Sequence, residues 1–256
     1  MLATQRQELI LGRVAGAGAV RVADLVAELD VSDMTIRRDI AELARRGLVR
    51  RVHGGAVDAR QAAHEPGFRA KLSRSEAEKT AIARTALDLI HPGSAIGLSA
   101  GTTTHLLAQL IATSTIRPLT VVTNSLPAAD TLHRADDPAL TVVLTGGTPT
   151  PSDALVGPLS TQALRGLHLD MVFLGVHGMD VDAGLTTPNL LEAETDRAMV
   201  AAGDQLVVLA DHTKWGETGL SRIAELTDVT VLVTDAVPDG VDLPDLDLLL
   251  APTPGA

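Results

Sequence analysis

Residues 32–56, SDMTIRRDIAELARRGLVRRVHGGA, carry six arginines and three acidic residues in a chain whose formal net charge is -11. Ser32 is a favoured N-cap, because its hydroxyl can accept from a free N–H of the first helical turn. Behind it, Ile36, Ile40 and Leu43 recur at helical spacing and predict one buried stripe. On such a helix Met34, Arg38 and Arg45 point away from the stripe, with Thr35 and Arg37 on its flanks. Gly47 predicts the C-terminal stop.

Working outward, VADLVAELDVS (22–32) predicts a second short helix with Val22, Leu25 and Leu29 inward. A further helix runs from about Thr4 to Ala15 and stops at GAGA. Three short helices, the last with cations on its outer face, make a helix-turn-helix, whose final helix would enter the major groove of DNA. LVRRV followed by HGG alternates and then turns, which predicts a hairpin wing with Arg50, Arg51 and His53 near phosphates. A solvated arginine face is the competing explanation, but cap, spacing, turn and wing all agree on the first.

Composition bounds the alternatives. The 256 residues contain no cysteine, which excludes a disulfide framework, thiolate zinc sites and a cysteine nucleophile. Phe68, Phe173 and Trp215 are the only aromatics among Phe, Trp and Tyr, so stacking platforms for single strands are not expected. No apolar run approaches membrane-spanning length and no signal peptide is evident, which fits a cytoplasmic protein without a membrane partner. Residues 1–60 hold 10 Lys/Arg against 8 Asp/Glu, whereas residues 61–256 hold 11 against 24. The first segment can meet a polyanion, and the second would repel one.

VSDMTIRRDIAELARRGLVRRVHGGA (31–56) resembles, nearly position by position, the signature of the DeoR family of bacterial transcriptional regulators. The resemblance implies a winged helix-turn-helix bound to operator DNA, with Thr35, Arg37 and Arg38 as leading contacts. Ser32, Met34, Arg45, Arg51 and His53 complete the candidate DNA-binding set. Asp39 is expected to orient an arginine or sit over a backbone rather than meet DNA.

Residues 58–77 read as a linker with a short helical part, in which His64 and Phe68 pack against one of the units. Beyond it, strand-like apolar runs end in small polar residues: AIGLSAGTTT, LTVVTNS, LTVVLTGG, MVFLGVHG, QLVVLADHTK and VTVLVTD. Helical patterns such as EKTAIARTALDLI and LEAETDRAMVAA separate most of them, which implies a mostly parallel sheet covered on both faces. The expected fold class is therefore α/β, with a winged helix-turn-helix over 1–57 and a larger effector-sensing and oligomerisation domain over 78–256.

In such sheets ligands collect beyond the carboxyl ends of the strands. Gly101, Thr102, Thr103, Thr104, Thr123, Asn124, Ser125, Gly146, Gly147, Gly175, His177 and Lys214 are accordingly the candidate effector-binding residues. In AGTTTHLLAQL (100–110) Gly101 permits close approach and the threonines open a helix whose free N–H groups favour an anion, phosphate first. A plain N-capped turn is the alternative; Lys214 tips the balance with a point charge on the same rim.

The resemblance continues through EKTAIA, GTTT, VVTNS, FLGVHGMDVDAGLTT, EAE and ADHTKWG, landmarks of the DeoR-type sensor domain. It implies a fold similar to ribose-phosphate isomerase and a phosphorylated sugar or related effector. One departure is Ser99, where the family usually carries an acidic residue.

The expected function is a sequence-specific transcriptional regulator, a repressor of sugar or carbohydrate metabolism genes, acting as a homo-oligomer on duplex operator DNA. The alternative is an isomerase-like enzyme carrying a DNA-binding domain. Aldose–ketose exchange needs a carboxylate base, yet the FLGVHG strand end offers Gly175, Val176, His177 and Gly178, with Asp180 only later. Glu192 and Glu194 open a helix, where the dipole welcomes carboxylates. The eight histidines form no H-x-x-x-H pair, and neither a metal nor a cofactor is expected.

Overall fold

The structure, a computed structural model, describes residues 3–17, 19–29, 31–52, 54–58, 67–241, 243 and 245–252. The N-terminal unit holds α1 (Ala3–Ala17), β1 (Ala19–Arg21), α2 (Val22–Leu29), α3 (Asp33–Arg45), β2 (Val49–Val52) and β3 (Gly55–Asp58). Its core is Ile10 and Val14 of α1, Val22 and Leu25 of α2, and the α3 stripe Ile36, Ile40 and Leu43. Each fully buried side chain of this size contributes about 1.5–3 kcal/mol relative to exposure. Ser32 caps α3 by accepting from the Thr35 N–H at 3.3 Å, and Gly47 leaves the helix at φ 68°. The wing is three-stranded rather than a hairpin, because β1 pairs antiparallel with β3 on the side away from β2. GAGA alone gave no sign of that strand.

The segment expected as linker contains α4 (Phe68–Leu72). After it come α5 (Glu76–Leu87), β4 (Ala95–Leu98), α6 (Thr102–Thr113), β5 (Leu119–Thr123), α7 (Leu126–His133) and β6 (Leu140–Leu144). A β-ribbon, β7 (Thr148–Pro149) with β8 (Leu155–Val156), leads to α8 (Pro158–Leu164) and β9 (Leu169–Gly175). The chain continues through β10 (Gly178–Asp180), β11 (Gly184–Thr187), α9 (Leu190–Ala201), β12 (Gly203–Leu209), β13 (Ser221–Ala224), β14 (Val231–Thr234) and β15 (Asp247–Leu250). Seven strands form one sheet in the order β15-β14-β12-β9-β4-β5-β6, and every pairing in it is parallel. Strands β10, β11 and β13 form a separate antiparallel flap.

The continuous apolar runs follow from burial of both faces. Alternate residues of β9 and β12 divide between two cores: Phe173, Val207 and Leu209 join Ile82 and Leu107 of α5 and α6. Val172, Leu174, Leu206 and Val208 join Ala193 and Met199 of α9 and the flap. From β4 the chain winds one way to β5 and β6, then returns to build β9, β12, β14 and β15 on the other side. The crevice between β4 and β9 is thus the topological switch point, where such sheets open to ligands.

Candidate functional site

On the N-terminal unit, α3 carries the cations. Met34 is 75% exposed at its front, with Arg37 and Arg38 exposed beyond it. Arg37 is tied to Asp33 one turn back and Arg45 to Glu42. Arg38 is the arginine of α3 without an ion-pair partner among the described residues. Asp39 faces inward and accepts from Arg6 of α1, with Gln7 Nε2 donating to its other oxygen at 3.2 Å. This carboxylate fastens α1 to the back of the cation-bearing helix. Ser32 spends its side chain on the cap and on a 2.8 Å hydrogen bond with Thr35. Arg51 lies on β2, its side chain outside the described residues, as are His53 and His64. Arg21 on β1, exposed on the third strand of the wing, was not singled out by sequence.

In the larger unit a cavity of about 160 Å³ sits at the β4–β9 crevice. Of the expected effector residues it gathers Gly101, Thr102, Thr103, Gly175, His177 and Lys214. Gly101 and Gly175 meet backbone to backbone there: a Cβ on Gly101 would lie 3.8 Å from the Gly175 Cα. Ser99 seals the crevice floor, fully buried, its hydroxyl accepting from the Gly175 N–H at 2.9 Å. The free N–H groups of the first turn of α6 stand above it.

The remaining expected residues do not line the cavity. Thr104 is fully buried and donates to the Gly101 carbonyl. Thr123 donates to the Leu98 carbonyl, and Asn124 Oδ1 accepts from the Ala100 N–H at 2.8 Å, so both brace the α6 loop from behind. Ser125 caps α7. Gly146 and Gly147 follow β6, two strands from the crevice, and lead into β7; at Gly147, φ is 124° and a Cβ would strike the Val156 carbonyl.

Other residues complete the cavity. Phe68, Lys71 and Arg74 come from α4 and the turn after it, Lys79 from α5, Ser152 from the β7–β8 turn, Asp211 and Thr213 from beyond β12. Glu192 and Asp196, a turn apart on α9, approach from the other face of the sheet. Glu192 Oε1 accepts from the Thr150 hydroxyl at 2.6 Å, so it is more than a helix-dipole carboxylate. Glu194 does not line the cavity. Asp211 and His212, though adjacent, diverge: Asp211 is 1% exposed and lines the cavity, while His212 is exposed and paired to Asp235 at 2.6 Å.

The electrostatics are unbalanced toward cations. Lys79 is only 2% exposed, and its Nζ donates to the Lys71 carbonyl at 2.7 Å. Burial, helped by Lys214, Arg74 and Lys71 and opposed by Asp211, pulls its ammonium from 10.5 down to about 8. Burial likewise lowers Lys214, with Asp211 resisting. Asp211 Oδ1 accepts from the Thr213 N–H at 3.0 Å, while Oδ2, buried, has no hydrogen-bond partner among the described residues. Such a site can hold an anion at its lysines and hydroxyl groups at its carboxylates.

Residues 6–62 match the DeoR-like helix-turn-helix domain and residues 74–236 the DeoR C terminal sensor domain. The chain is therefore a transcriptional regulator with a DNA-binding unit and a small-molecule-sensing unit. YgbI of Escherichia coli, an HTH-type transcriptional regulator, is 35% identical over 257 residues, 98% of this chain and 99% of that protein. The transcriptional repressor AccR of Agrobacterium fabrum is 34% identical over 90% of this chain and 89% of its own. The L-fucose operon activator of Haemophilus influenzae is 33% identical over 92% and 94%. The chain belongs to the DeoR family. Among solved structures, ribose 5 phosphate isomerase A from Neisseria gonorrhoeae overlaps 59% of this chain and 57% of its own, at 16% identity and a TM-score of 0.41. Among the described residues no helix is long and apolar enough to cross a membrane.

Proposed function

We propose that the protein represses genes of sugar or carbohydrate metabolism and is controlled by a phosphorylated sugar bound in the β4–β9 cavity. The observation that carries this reading is the cavity's divided chemistry. Lys71, Arg74, Lys79 and Lys214 supply cations from α4, α5 and the end of β12, and Glu192 and Asp196 supply acceptors from α9. Phosphate suits the first group and sugar hydroxyls the second. On the duplex, Thr35, Arg37 and Arg38 meet base edges and phosphates, with Ser32, Met34, Arg45, Arg51 and His53 around them. One winged unit offers few base contacts, so two half-sites and a homo-oligomer complete the reading, in the cytoplasm where such DNA is reached.

The protein senses its ligand rather than converting it, a reading supported by the helix-turn-helix match and by the regulator relatives. Asp180, the carboxylate that follows β9, accepts with Oδ1 from the N–H groups of Asp182 and Ala183 and lies outside the cavity. Trp215 adjoins Lys214 and reports on the site. Titrating pentose and hexose phosphates against Trp215 fluorescence, beside the matching free sugars, is the direct test. A saturable signal from at least one phosphate, with altered affinity for DNA upstream of the protein's own gene, is expected. A response confined to free sugars, or product formation at enzymatic rates, would discard the proposal.

A further inference from the structure

The helix α4 has only five residues and cannot be stable by itself. Side chains and turns of the sensor hold it. The Phe68 N–H donates to the Pro151 carbonyl at 3.2 Å, and Lys71 Nζ donates to Ser152 Oγ at 3.0 Å. The Phe68 ring meets His105 of α6 edge-on, with centroids 5.4 Å apart. From within the cavity the buried Lys79 Nζ donates to the Lys71 carbonyl. This short helix therefore forms one wall of the effector cavity. It also lies between β3 and α5 in sequence, so the covalent path between the two units runs through it.

An ammonium has three donors, and a phosphate brings several anionic acceptors. With one donor on the neutral Lys71 carbonyl, the Lys79 ammonium can turn the others to a phosphate entering beside it, so that one group ties the anion to α4. Arg74, exposed and without an ion pair among the described residues, lines the same cavity from the turn that follows α4.

We infer that α4 is itself part of the effector site: Lys71 and Arg74 grip the effector's anionic group, and Lys79, bonded to the Lys71 carbonyl, ties α4 to that same group. The inference rests on the cavity being an anion-binding effector site, and it makes the connector the first element to feel the ligand. The ligand shifts DNA affinity by as much as it discriminates between the two arrangements of α4.

The test uses the full chain and inorganic phosphate at constant ionic strength, read by Trp215 fluorescence and by amide hydrogen exchange over residues 68–74. Phosphate should saturate the fluorescence signal and change exchange in α4. The Lys71→Gln/Arg74→Gln double variant should bind phosphate about tenfold more weakly. Arg74→Gln alone, at an exposed position, should show part of the loss and covers the case in which the double variant misfolds. Unaltered phosphate affinity in these variants, or unchanged exchange in α4 when phosphate binds, overturns the inference and leaves the anion cavity standing. Absence of any phosphate response in the native chain overturns both.

Discussion

The two units place their cations in opposite ways. On α3 the arginines stand in water and lean on neighbouring carboxylates, Arg37 on Asp33 and Arg45 on Glu42. Around the sensor cavity the lysines are drawn inward, Lys79 almost completely, and the charged form becomes harder to keep. A solvated cation attracts any polyanion and loses that attraction to salt. A desolvated one is served best by an anion of fitting size, which offsets the hydration it has lost. The first arrangement suits a long duplex read at many points, the second a small ligand met once.

The contrast can be broken most violently at the buried pair that supports the exposed face. Asp39→Ala leaves Arg6 unpaired, with side chains only 11% and 6% exposed in the native pair. The expected cost is about 3–5 kcal/mol. Chemical denaturation should then show the N-terminal unit melting early, with DNA binding lost and phosphate binding by the sensor intact. Loss of both activities together would mean that the units do not act separately.

Next in size is the difference between two adjacent arginines. On the proposed reading Arg38 would meet DNA without breaking an ion pair among the described residues, whereas Arg37 would first leave Asp33. Arg38→Ala should weaken operator binding about tenfold or more, and Arg37→Ala by a smaller factor, in anisotropy titrations at fixed salt. Equal losses would erase the distinction.

Two pH effects sharpen the inward side. Lys79 binds its proton less tightly in the folded chain, at about 8, than its ordinary 10.5. The penalty for burying its charge is present below 8 and is relieved as pH rises toward 10.5. Phosphate affinity should move the other way, falling above about 8 as the ammonium is lost, with proton uptake on binding detectable by calorimetry in buffers of different ionisation heat. A flat affinity through that range would remove Lys79 from the anion's surroundings. The smallest effect concerns His105, whose pKa burial lowers from 6.5. The unfolded chain binds the extra proton first, so sensor stability is complete above about 6.5 and declines as pH falls below it. His105→Gln should flatten that slope in thermal melts.

Much of the N-terminal unit was legible in sequence because its determinants are local. A stripe at three- and four-residue intervals lies within α3, with the serine cap just before it and the glycine stop just after. Strand β1 was not legible, since Ala19–Arg21, starting on the last residue of GAGA, become a strand only by pairing with β3, distant in sequence. In the larger unit the apolar runs gave the parallel strands, but not their order. That order separates Lys214 and Gly175, which reach the cavity, from Thr123 and Gly147, which do not. Lys71 and Lys79 escaped notice for a similar reason. Nothing in EKTAIA or FRAKL reveals that the lysine of one will donate to a carbonyl of the other across a shared wall.

Met34 gives the outer surface one feature that charge does not explain. A thioether 75% exposed at the front of a cationic helix is an apolar finger offered to whatever the helix approaches. In a major groove the group that welcomes such a finger is the C5-methyl of thymine. Discrimination among binding sequences would then come partly from a greasy contact insensitive to salt, so that raising ionic strength weakens the grip on every fragment while leaving this part of the choice among them intact.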